Sequence, residues 1–130
     1  MGLGALFVLT GCSLDTVIWG PDGAAVIDQT DRLIRAVSAG EGAPFLCEGA
    51  SVDLRAPEHW KGLAAGEPEG FRADHWRDQA ALSPTWSINL ESGSATIVEG
   101  KVLPSDVFYR KTDAGLCVVD VVWATVESAG

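Results

Sequence analysis

The sequence predicts an α+β fold: an amphipathic helix near the amino terminus, one or two shorter helices, and a curved antiparallel sheet. Three observations predict it. Apolar residues recur at helical spacing between Val26 and Val37, strict alternation begins at Trp86, and a valine-rich run from Leu116 to Glu127 follows a turn.

The first helix is the clearest element. Val26, Thr30, Leu33 and Val37 are spaced four, three and four apart, and Ile27 and Ile34 widen the same stripe. Pro21 precedes it, Asp22 is placed to cap its free amides, and Gly40 is placed to end it. Asp28, Asp31, Arg32 and Arg35 fall on the opposite side. "EGAPFLCEGA", Glu41 to Ala50, predicts a short second helix that brings Cys47 into the core, with "SVDL" as a brief extended piece. Breakers at Pro57, Gly62, Gly66, Pro68 and Gly70 predict a loop. A third helix is expected from Pro68 to Leu82, with Phe71, Trp76 and Ala80 on its apolar side.

The last third reads as strands. "TWSINLE" sets Trp86, Ile88 and Leu90 against Ser87, Asn89 and Glu91, the period of a half-buried strand. "ESGS" predicts a turn, and "ATIVEGKVL" and "DVFYRK" a less regular strand. After the turn "TDAG", Cys117, Val119, Val121, Trp123 and Thr125 alternate with Val118, Asp120, Val122, Ala124 and Val126. Apolar side chains on both faces predict a central strand covered on both sides, with Asp120 the polar exception.

At 130 residues and 47% hydrophobic, the chain suits one domain with a proper core, expected over residues 22–128. Nine basic against eighteen acidic residues give a net charge of −9. Such a surface repels phosphate backbones and anionic headgroups alike, so nucleic acid is not an expected partner.

The opening has a different character. The apolar run from Leu3 to Leu9 is too short to span a bilayer, which takes about 20 residues, but suits the core of a signal peptide. "LTGC", Leu9-Thr10-Gly11-Cys12, resembles the lipobox of bacterial lipoproteins. That resemblance implies cleavage before Cys12, acylation of its sulfur and a place in the cell envelope, facing outside the cytoplasm. Residues 1–11 are then a signal peptide whose usual basic start would lie upstream, and residues 12–21 a lipidated tether. Extended, that tether reaches about 30 Å. Val17, Ile18 and Trp19 would either dip into the membrane interface or, the preferred reading, pack on the domain as a first strand.

Three cysteines is an odd number, and assigning Cys12 to lipid leaves Cys47 and Cys117 as a pair. Outside the cytoplasm they are expected to form a disulfide. The competing reading is two buried thiols in a cytosolic chain. Neither cysteine belongs to a Cys-x-x-Cys pair, so no metal site is expected.

Helices followed by a meander of strands are similar in element order to the nuclear-transport-factor-two-like fold, a curved sheet wrapped into a cone around a long helix. A cystatin-like sheet on a single helix is the alternative. The cone resemblance implies a low-ranking enzymatic possibility, proton transfer by His75 with Asp74 or Asp120. Both histidines have similar settings, Glu58-His59-Trp60-Lys61 and Asp74-His75-Trp76-Arg77, and surface histidines beside half-buried tryptophans are the preferred reading. Nucleophile-elbow, phosphate-loop, dinucleotide and calcium-loop motifs are absent from the sequence, and no cofactor is expected. Five tryptophans suggest an aromatic pocket. Trp86 and Trp123 are assigned to the core, and Trp60, expected to be exposed, is placed with Trp76 as a pocket residue. The expected role is a lipid-anchored envelope domain that binds a protein or a small apolar ligand.

Overall fold

The computed structural model describes residues 2–127, with side chains from Leu14 onward. One α-helix packs on a four-stranded antiparallel sheet, so the fold is α+β. Helix α1, Gly2–Ser38, is kinked at Gly20, whose φ of 77° suits glycine. Pro21 follows, tolerated where a helix restarts because its missing N–H would have no partner there. Beyond the kink, Val26, Thr30, Leu33, Ile34 and Val37 are all buried, which makes the predicted stripe the packing face. The helix ends as expected at Gly40, φ 78°. There Glu41 N donates to Ala36 O at 2.7 Å and Gly40 N to Val37 O at 2.9 Å. These two bonds form a Schellman end.

The strands are β1 (Ala64–Gly70), β2 (Trp86–Glu91), β3 (Val102–Thr112) and β4 (Gly115–Thr125), ordered β1-β2-β3-β4. Several expectations are corrected here. The shorter helices do not form: Glu41–Ala50 holds only the 3₁₀ turn Ala43–Phe45, and the region of the third helix is divided between β1, turns and the 3₁₀ turn Ala80–Leu82. "AAGEPEG" lacks β-branched and aromatic residues, yet pairs with β2 because an edge position tolerates Pro68 and a bulge between Ala65 and Pro68. The turn after β2 forms at Gly93 and Ser94 as expected, but residues 95–101 are loop rather than strand, with Ile97 and Val98 exposed. Val17 to Trp19 are helical rather than a first strand.

Strand β4 is an edge, not the centre. Both its faces are covered, and its free edge meets the segment after α1 through a parallel bridge, Leu46 to Val118. Its alternation also breaks, because Phe108 pairs with Asp120 while Tyr109 pairs with Val118. Val119 is the extra residue of this bulge, and Val118 and Val121, three apart, therefore share a face.

The inner face meets α1. Ile88, Val107, Tyr109, Val118 and Val121 pack there with Val26, Leu33, Ile34 and Val37, closed at one end by Trp60. One polar pair is buried inside this core. Thr30 donates its hydroxyl hydrogen to Val26 O at 2.7 Å, so its oxygen accepts from the Tyr109 hydroxyl at 2.8 Å. Burial pushes the Tyr109 hydroxyl well above its ordinary value, which keeps it a donor. The outer face carries Phe108, Val119 and Val122, with Cys47, Cys117, Phe71 and Trp76 packed against them. Cys47 and Cys117 form a disulfide that ties the post-helix segment to β4. Among the described residues, no helix is long and apolar enough to cross a membrane.

Candidate functional site

The polar side of β2 and its neighbours builds a groove on the outer face. Ser87 lies between Glu69 of β1 and Phe108 of β3, and Asn89 lies opposite Asp106 of β3. Cross-strand partners stand about 5 Å apart, so these groups form one patch. Beside it, the segment from Phe71 to Leu82 crosses the sheet as a wall. Phe71 N donates to Thr85 O at 3.0 Å, and the Phe71 and Trp76 rings meet Phe108 edge-on at 6.1 and 4.9 Å. Gln79 Nε2 anchors the far end on Asp120 at 3.0 Å.

Between this wall and β1 lies a cavity of about 380 Å³. Trp76, His75 and Arg72 line one side, Ser87, Asn89 and Asp106 the floor, and Glu67 and Glu69 the edge, with Trp19 of α1 reaching the rim. Burial pushes the Asp106 carboxyl above the usual aspartate value, partly offset by the Ser105 hydroxyl and the charge of His75. Asn89 Oδ1 accepts from Glu67 N at 2.8 Å, which ties β2 to the bulge of β1. Ser87 is 5% exposed and its hydroxyl bonds to no other described residue. Because no fully enclosed polar side-chain atom among the described residues lacks a partner, that hydroxyl opens to the cavity.

The residues singled out from the sequence fall in different places. His75 is exposed on the groove wall, stacked edge-on against Trp76 at 5.0 Å. Neither expected carboxylate orients it: Asp74 pairs with Arg72 at 3.5 Å, and Asp120 is held by Gln79. The carboxylates that share its cavity are Asp106, Glu67 and Glu69. Trp76 lines the groove as expected, but Trp60 does not. It is fully buried on the inner face, where Nε1 donates to Leu54 O at 2.8 Å and the ring meets Trp123 at 5.9 Å. The pocket expected between Trp60 and Trp76 is therefore split by the sheet itself. His59 also sits on the inner side, donating from Nδ1 to Val102 O at 2.7 Å, so the two histidines do not meet.

Ser87, Asn89 and Asp106 were not singled out as a site. The signal was present in "TWSINLE" as its polar alternation, but only strand pairing brings Asp106 beside it. No group of three or more metal-binding side chains occurs among the described residues. The side chain of Cys12 lies outside the described residues. Comparison with known proteins finds no matching family model, curated protein or solved structure.

Proposed function

We propose that this chain is a lipid-anchored domain of the bacterial cell envelope that uses its outer-face groove for binding rather than catalysis. The Cys47–Cys117 disulfide is the observation that carries this reading. With Cys12 in a lipobox-like "LTGC", it accounts for all three cysteines in a single oxidising location. Leu14, Val17 and Ile18, 71, 80 and 58% exposed, follow closely after Cys12 and would rest on the bilayer, while Trp19 is half-buried. Binding is favoured over proton transfer because His75 is exposed and Asp74 and Asp120 are held by other partners.

Intact mass and detergent partitioning of chain expressed in a bacterial host, beside Cys12→Ser, test the anchor. Loss of residues 1–11, gain of acyl mass and partitioning by the wild type alone are expected. A wild-type chain that stays soluble at unprocessed mass, also when extended upstream with a basic start, would overturn the reading.

A further inference from the structure

We propose that the outer-face groove recognises a primary ammonium group borne on an apolar body. This identifies the ligand class of the groove and rests on its being a binding site. The floor offers acceptors and the wall an aromatic face. Glu67, Glu69 and Asp106 place three carboxylates on the cavity, against the His75 imidazole and one guanidinium, Arg72, which is already paired with Asp74.

The second observation is Ser87. The residue is more than nine-tenths buried, and its hydroxyl bonds to no other described residue and opens into the cavity one strand away from Asp106. Ser87 and Asp106 are diagonal neighbours on adjacent strands, and a hydroxyl oxygen and a carboxylate on one patch suit an ammonium, which has three hydrogens to donate and no lone pair to repel. Asp106 bears a burial penalty that a bound cation would relieve. The Trp76 ring, held against Phe108, offers its remaining surface to the apolar body. A carboxylate or phosphate ligand would meet the three acids at close range, and a neutral apolar ligand would leave the Ser87 hydroxyl without a partner.

The test is an NMR titration of the oxidised chain, following the Trp76 indole N–H, with phenethylamine as probe. Phenethyl alcohol tests the charge, and N,N,N-trimethylphenethylammonium tests the hydrogen bonds. Saturable binding of the amine is expected, with both comparison compounds about tenfold or more weaker. Asp106→Asn is expected to weaken amine binding about tenfold, and Ser87→Ala, which removes one hydroxyl, about threefold or more. Thermal melts establish that each variant is folded, and Ser87→Ala decides the matter where Asp106→Asn is not. Equal binding of the alcohol, or unchanged amine binding in the decisive variant, would overturn the ammonium assignment while leaving a binding groove. Absence of any saturable shift would overturn it together with the groove, and leave the result for the Cys12 anchor unaffected.

Discussion

The two faces of the sheet are built by different means. On the inner face a single amphipathic helix supplies a continuous apolar stripe, and the one polar pair there, Thr30 with Tyr109, is fully hydrogen-bonded. On the outer face a non-helical wall rests on a few aromatic contacts and a disulfide, and it stops short of β1. Regular cover packs along its length, because side chains at helical spacing interdigitate, and leaves its cavity at the helix margin, lined by Ala25, Trp86 and Leu116. Irregular cover leaves a groove with polar groups on its floor. Stability is expected to be concentrated on the inner side, and the proposed recognition lies on the outer side.

Truncating the inner anchor tests the first half of that statement most severely. Trp60→Ala is expected to cost about 3–5 kcal/mol in chemical denaturation, because a fully buried indole leaves a large cavity. Removing the staple should matter somewhat less. The double variant Cys47→Ser, Cys117→Ser is expected to lose about 2–4 kcal/mol, since the bridge constrains a long loop of the unfolded chain. If it costs more than Trp60→Ala, the outer face is the stronger half and the comparison fails.

Thr30→Val leaves the Tyr109 hydroxyl buried without its acceptor, at an expected cost of about 1–3 kcal/mol. Adding Tyr109→Phe should recover part of that loss, a coupling readable as a double-mutant cycle. On the outer face, Trp76→Ala should cost about 1–2 kcal/mol, less than Trp60→Ala because Trp76 is only half-buried. A cost equal to that of Trp60→Ala would erase the distinction between the faces.

The smallest effect belongs to Asp106. Its carboxyl is raised above the ordinary value of 3.8 in the folded chain, so its ionised form opposes folding at neutral pH. Asp106→Asn is expected to raise stability at pH 7 by less than about 1 kcal/mol, a partly exposed charge being screened by solvent. As pH falls through the raised value toward 3.8, the wild-type group takes up its proton and the difference should close. Melting temperatures of both proteins across that window check the sign. A wild type more stable than the variant at pH 7 would show that Asp106 is stabilised by its surroundings instead.

Long periodic elements were legible in the sequence, and short ones were decided by their neighbours. The stripe from Val26 to Val37 and the alternation from Trp86 to Glu91 each repeat often enough to specify a face. Strand β1 carries no such signal, and becomes a strand because β2 presents an open edge to it. The face assignment along β4 failed at Val119, where one extra residue shifts every later side chain and no residue type announces the bulge. Trp60 was misplaced for a related reason: its flanking glycines and prolines suggest a loop, and loops are usually exposed, yet this one folds under the sheet. Of the candidate groove, His75 and Trp76 were visible because they are chemically conspicuous. Ser87, Asn89 and Asp106 are ordinary residues whose proximity is a product of register.

The staple from Cys47 to Cys117 also governs what a protease could achieve. The exposed residues 92–101 lie inside the span it closes. A cut there would sever the peptide chain without separating its parts, because the carboxy-terminal piece, carrying β3 and β4, stays covalently joined to the piece that carries α1, β1 and β2. The nicked molecule would run as one species until reduced, and then as two.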